Sequence, residues 1–429
     1  MGLVMAALAR PIAFALALAV LLGVVGLPDF AFTDYDFEAL TAATALAEGR
    51  LGAFYETAPA YGGSFVLRAP FAWVAHAFGG GELAVYRAYS LPAILAALAL
   101  GGVLFARLRG CSRRGAWVAL GLAVAHPLSF GALEFGHPEE LLGAALCAGA
   151  LLAAVAGRPW LAGMLLGAAV GNKAWALLAV LPVLAALPDG RGRVQAAGLA
   201  GAVVAVVAVP FALAGGVAVD GARAVATTTG SIFNPWQLFW FTGDAGGEVP
   251  NAPRPGYRLR PDWARGWSHP LVIAGGLGLG AAWVLVRRRI AAASPADAGL
   301  ALALVLLTRC LLDTWNVAYY SVPFVLVLLT WECGLHRRPP VLSAAVAIAS
   351  MISFNALVDA PPDLAAAVYL AWTLPLWTGM ALALLAPARG AALAAAGRAA
   401  AARALPSLLG QPASSATAAR RSPGLTSHP

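Results

Sequence analysis

Apolar runs of roughly 20 residues, the length a helix needs to cross a bilayer core, follow one another along most of this sequence. They are cut by short segments rich in arginine. A chain in lipid can satisfy its backbone polar groups only as helices or a closed barrel, and runs this long and continuous read as helices. The expected fold is therefore an all-α polytopic membrane protein. Composition agrees: 61% of the 429 residues are hydrophobic and 11% are charged, against about 25% charged in a soluble domain. Mean hydropathy is +0.78. These figures exclude a soluble enzyme, a disordered chain and a coiled coil. The formal charge of +8 then concerns which membrane side each charge faces, and no nucleic-acid partner is expected. Cys111, Cys147, Cys310 and Cys333 fit no zinc or haem spacing and suggest no disulfide framework.

Placing the Arg-rich short loops in the cytoplasm gives about ten full spans. They fall near 11–27, 85–105, 115–132, 140–156, 194–214, 269–286, 297–312, 316–333, 340–358 and 363–386. Residues 160–187 are basic on both flanks, so two short segments turning at "VGNKAW" fit better than one crossing. One tilted helix is the alternative. The hairpin puts Lys173, the only lysine in the chain, near the outer side. Two long loops, about 28–84 and 215–268, are expected outside, and both termini in the cytoplasm. The single membrane domain is expected to span 1–387. An Ala/Arg/Ser/Pro-rich tail at 388–429 is expected to be disordered and cytoplasmic. This topology puts 17 of the 20 acidic residues outside, a check that the arginine rule did not use.

The polar groups gather on that outer face. Asp34 and Asp36, in "FTDYDFEALTAATALAEGR", could share a divalent metal such as Mg or Mn, or one could serve as base beside the other. Solvated acids at a helix start are the plain alternative. "LEFGHPEELL" holds Glu134, His137, Glu139 and Glu140. First-turn capping accounts for the two acids after Pro138 and leaves His137 as a candidate proton or phosphate contact. Lys173 is costly at membrane depth unless paired, and suits a lipid-linked phosphate or a snorkelling position. "LLTRCLLDTWNVAYY" supplies Arg309, Asp313, Asn316, Tyr319 and Tyr320, with Arg309 and Asp313 spaced to neutralise each other on one helix face. The Trp/Arg-rich second loop adds His269. There is no P-loop, dinucleotide fingerprint or zincin motif.

These segments carry a family resemblance. "FTDYDFEALTAATALAEGR" resembles the first lumenal loop of the mannosyltransferases of GPI-anchor synthesis. "GHPEELLGAALCAGALLAAVAGRPWLAGMLLGAAVGNKAWALLAVLPVL" and "TRCLLDTWNVAYYSVPFVLVLLTWE" resemble bacterial members of glycosyltransferase family 87. The resemblance implies a GT-C fold in the bacterial inner membrane. It implies an inverting transfer of a hexose or pentose, mannose-like, from a polyprenyl-phosphate sugar to a lipid or glycan acceptor on the extracytoplasmic face. A divalent metal at Asp34 and Asp36 could offset part of the leaving phosphate's charge, though no ligand set demands one. The loop aspartate would be the base, with Asp36 the better match and Asp34 the second. Lys173 and Arg309 would hold the donor phosphate. Glu134, His137, His269, Asp313, Asn316 and Tyr320 would make acceptor, proton or phosphate contacts. Relatives often carry glutamine where this chain has His137, and proline where it has Ala174. A transporter or flippase of lipid-linked sugars is the competing reading, since it needs the same basic and aromatic groups but no base.

Overall fold

The computed structural model describes residues 34–388, apart from 216–218, 222–231, 246–248, 250–251 and 290–293. The expected first span at 11–27 and the tail beyond 388 lie outside the described residues. Many helix starts are explicit in the sequence. Pro127, Pro138, Pro159 and Pro362 open helices, where a fixed φ helps and the missing N–H costs nothing. Ser112 Oγ accepts from the Gly115 amide at 3.1 Å, and Asp189 Oδ1 from that of Gly192 at 2.7 Å. Both are N-caps.

Within the region expected as the first long loop, a π turn at Tyr35–Ala39 runs into α1 (Leu40–Ala47). Then come α2 (Leu51–Thr57) and α3 (Gly62–Ala77). α4 (Glu82–Leu108) is followed by α5 (Arg113–Val124), α6 (Pro127–Glu134) and α7 (Pro138–Val155). α8 (Pro159–Asn172) leads through a 3-10 turn to α9 (Val180–Ala186), and α10 (Gly190–Ala214) follows. After the second loop come α11 (Asp262–Arg287), α12 (Asp297–Leu312), α13 (Val322–Leu329), α14 (Val341–Met351) and α15 (Pro362–Leu385).

Among the described residues, seven helical stretches are long and apolar enough to cross a membrane: Glu82–Leu108, Arg113–Glu134, Pro138–Val155, Gly190–Ala214, Asp262–Arg287, Ala318–Leu335 and Pro362–Leu385. α12 and α14, expected as full spans, are shorter apolar helices. α11 begins seven residues earlier than the expected 269 and so shortens the second loop. Among the described residues the only strand-like pairing is an isolated bridge between Asp244 and Leu259.

The chain breaks at Lys173, whose backbone is extended at φ −157° and ψ 135°. α8 and α9 form the expected hairpin. The start of α8 and the start of α10 are neighbours, since a Cβ on Gly192 would stand 3.5 Å from Pro159 Cβ. α9, which ends four residues before α10 begins, must therefore return to that level. α8 and α10 run side by side because Gly163, Gly167 and Gly171 recur every fourth residue. A Cβ on Gly163 or Gly167 would lie 2.5 or 2.7 Å from the Ala196 or Ala200 carbonyl. This is the small-residue stripe by which membrane helices approach closely.

One end of the bundle gathers arginines that cap helix carbonyls. Arg107 donates to Gly334 O at 2.8 Å, Arg287 to Ala185 O at 2.6 Å and Arg193 to Leu187 O. The segments expected in the cytoplasm therefore lie together. Glu332 explains itself there: its carboxylate accepts from the amides of Leu342 and Ser343 and from Ser343 Oγ, and so caps α14. The opposite end, where α7, α13 and α3 begin and α8 and α12 finish, holds the remaining buried charge.

Candidate functional site

Glu139 and Glu140 occupy the first turn of α7, where the helix dipole favours anions. Both are fully buried. Each is met by cations from other helices. Lys173, at the C-terminal end of α8, reaches Glu139 Oε1 at 3.0 Å and Glu140 Oε1 at 3.1 Å. Arg309, in the last turn of α12, forks onto Glu140 at 3.1 and 3.3 Å. Its guanidinium lies over the Tyr320 ring at 4.2 Å and the Trp175 ring at 5.1 Å. Arg68 of α3 stands 3.9 Å from Glu139 and donates to the Ser64 and Tyr89 carbonyls. Asn172 ties α8 to this floor: it donates to Glu139 O at 2.8 Å and accepts from Ser64 Oγ at 2.6 Å.

His137 bridges this buried floor to the more open Asp34. Its Nδ1 lies 2.7 Å from Glu139 Oε1 and its Nε2 3.0 Å from Asp34 Oδ2. The Tyr319 and Tyr61 rings flank the imidazole at 4.6 and 5.8 Å, and Tyr319 OH donates to Asp34 Oδ2 at 3.4 Å. The approach depends on Gly136. Its φ is +87°, and a Cβ there would stand 2.7 Å from the Tyr35 amide nitrogen. A bare glycine lets the π turn dock against the α6–α7 corner and so brings Asp34 to His137. Burial alone pushes the imidazolium down. Glu139 beside it, with the hydrogen bonds to Asp34 and Glu139, outweighs burial and the repulsion of Lys173 and raises the pKa to about 9. His137 is therefore charged at neutral pH.

The cluster holds three carboxylates, three permanent cations and His137, one positive charge in excess. Exposure separates its members. The side chain of Asp34 is 42% exposed and that of Lys173 17%, while those of Arg68 and Arg309 are 1% and 5%. An incoming molecule would meet Asp34 and Lys173 first.

The other expected residues sort into two sets. Asp36 and Glu134 are exposed and have no ion pair or hydrogen bond among the described residues. Asp313 and Arg309 do not neutralise each other. α12 ends at Leu312, and Asp313 turns away in extended conformation. Asp313 instead accepts from the Trp315 amide at 2.9 Å and lies 3.7 Å from His269 Nε2. Asn316 is buried and donates to Trp236 O and Tyr369 OH, which joins the second loop to α15. Among the described residues no group of three or more His, Cys, Asp and Glu side chains is arranged to hold a metal ion. Asp34 faces His137, while Asp36 is exposed.

Sequence reasoning missed the central role of Glu139 and Glu140, and missed Arg68, Asn172, Ser64 and Tyr61. A signal existed. A lone lysine at membrane depth needs a carboxylate, and "PEE" supplies the only two adjacent acids in the chain.

No curated protein and no solved structure matches the chain. The model of glycosyltransferase family 87 matches residues 62–314, a stretch that begins after Asp34 and Asp36 and includes Arg68, His137, Glu139, Glu140, Lys173 and Arg309. That match covers well over half of the sequence and agrees with a polytopic helical fold of the GT-C kind, and on it the chain belongs to glycosyltransferase family 87 and is a membrane glycosyltransferase.

Proposed function

We propose that the protein transfers a hexose or pentose, mannose-like, from a polyprenyl-phosphate donor to a lipid or glycan hydroxyl on the extracytoplasmic face, with inversion at the anomeric carbon. The observation that carries this reading is the placement of a half-open carboxylate, Asp34, beside a cationic floor reached through Lys173. Sugar nucleotides stay in the cytoplasm, so a transferase facing outward needs a donor delivered by lipid. Such a donor leaves behind a phosphate at membrane level.

The roles follow from the chemistry. The acceptor hydroxyl gives its proton to the free oxygen of Asp34 as its oxygen attacks the anomeric carbon. The bond from that carbon to the phosphate oxygen breaks, and the lipid phosphate leaves with added negative charge. Lys173 has two carboxylate partners and a third N–H to offer that charge. Arg309 and Arg68 support it from behind. Preorganised cations aimed at developing charge are the largest single contribution in many enzymes. Asp34 is preferred over Asp36 as base because it alone is joined to the cluster; Asp36 remains the second candidate. The second loop, with His269, Asp313 and Asn316 at its root, is assigned to the acceptor side.

The test is transfer of radiolabelled sugar from synthetic polyprenyl-phosphate mannose, glucose and arabinose by the purified protein in lipid vesicles. Lys173→Gln is expected to lower kcat/KM by at least tenfold for the active donor. Wild-type-level transfer by Lys173→Gln would remove the phosphate site, and passage of an intact donor across vesicles without transfer would favour the transporter reading.

A further inference from the structure

We propose that His137 is the positioning residue of the transfer reaction: in its charged form it clamps one oxygen of Asp34 and leaves the other aimed at the acceptor, which gives the activity an alkaline limit. The inference rests on the assignment of Asp34 as base.

The geometry sets the roles. His137 is buried, with both ring nitrogens occupied by carboxylates of unlike exposure, Glu139 on one side and Asp34 on the other. Only the doubly protonated ring can donate to both. Neutral imidazole has one N–H. Glu139 Oε1 is the nearer partner, at 2.7 Å against 3.0 Å, and is fully buried. The single proton therefore stays on Nδ1. The bare Nε2 then faces Asp34 Oδ2, two lone pairs at hydrogen-bonding distance, and Asp34 must swing away.

A relay in which His137 takes the acceptor proton from Asp34 has the opposite requirement, because it needs the neutral ring. The charged groups that face His137 are Asp34 before the π turn, Glu139 on α7 and Lys173 at the end of α8. Tyr61 before α3 and Tyr319 before α13 face it as well. Two carboxylates outweigh one ammonium, which favours the imidazolium and agrees with a pKa raised to about 9.

The exchange of His137 for glutamine separates charge from shape. Glutamine can still bridge two carboxyl groups through its amide N–H groups. Two measurements on the full chain in lipid nanodiscs decide the matter. In the first, ring-labelled histidines are titrated by NMR, with His137 assigned by its loss in His137→Gln. His137 is expected to titrate near pH 9, and in Asp34→Asn at least one pH unit lower. A midpoint near 6.5 that Asp34→Asn does not move would overturn the proposal without any reference to activity.

In the second, sugar transfer from the active synthetic polyprenyl-phosphate donor is followed from pH 6 to 10. Wild-type kcat is expected to fall above about pH 9. His137→Gln is expected to lose about tenfold in kcat at pH 7 with little change in donor KM, as positioning losses do, and to lack the alkaline fall. Transfer that rises through pH 9, or an alkaline fall that survives in His137→Gln, would contradict the clamp. If no donor supports transfer, the proposed reaction fails, and the titration still decides whether His137 and Asp34 are coupled.

Discussion

Replacing Arg309 by methionine leaves the Glu140 carboxylate in a fully buried position with Lys173 as its remaining cation among the described residues. That ammonium is already shared with Glu139. Replacing Glu140 by methionine strands Arg309, which among the described residues forks onto that carboxylate alone. Breaking a buried ion pair by removing one partner costs about 3–5 kcal/mol, because a desolvated charge is left without compensation. Replacing both partners by apolar side chains of similar volume is often near neutral. Methionine is flexible enough to fill the space beside Tyr320 and Trp175. The double variant should then be more stable than either single one, with a coupling free energy above about 2 kcal/mol, toward the upper end of measured couplings. The assay is unfolding of the purified protein in detergent micelles. Each single change is expected to lower Tm by on the order of 10 °C, and the double change to restore most of that. Additive losses, or single losses below about 1 kcal/mol, would refute the claim that α7 and α12 are joined through a dry ion pair.

Other outcomes follow from the same geometry. Gly167→Leu puts a side chain into the Ala200 carbonyl and should cost about 1–3 kcal/mol by overpacking; because α8 carries Lys173, sugar transfer should fall with it, and unchanged melting would refute the glycine stripe. The His137 proton is held more tightly in the folded chain than at its ordinary 6.5. Its stabilising effect is complete below about pH 6.5, declines as pH rises and is lost above about 9; His137→Gln should remove that slope from a plot of stability against pH. Topology is testable by labelling of intact cells. Exposed Cys111, at the arginine-rich end, should react with an impermeant thiol reagent only after permeabilisation, and Glu134→Cys should react without it. The reverse pattern would invert the orientation.

Much of the fold was legible because bilayer length and arginine placement are strong signals. Among the described residues the apolar runs gave helices at the expected positions, and basic flanks on both sides of 160–187 pointed to the turn at Lys173. The site was less legible, for reasons visible in particular residues. "PEE" after Gly136 and His137 reads as a helix start, and it is one. The same first turn also buries both acids, and burial depends on α3, α8 and α12, which are distant in sequence. Arg68 sat in what looked like an outer loop and became a core residue once α3 packed there. Asp34 and Asp36 could not be separated by spacing. In a helical turn, residues two apart face different sides, and only the docking of Tyr35 against Gly136 decides which side turns inward. Arg309 and Asp313 have the spacing of a helix pair, but the helix ends between them.

The most direct test of the account is the rate of sugar transfer by Asp34→Asn set beside that of Asp36→Asn. Both are measured on purified protein with the polyprenyl-phosphate donor that the wild type uses. Asparagine keeps the size of aspartate and loses the base, and general base catalysis contributes about 10²–10⁴-fold. The account predicts that Asp34→Asn lowers kcat by at least about 10²-fold, with Asp36→Asn within a few-fold of wild type. Undiminished transfer by Asp34→Asn would contradict it.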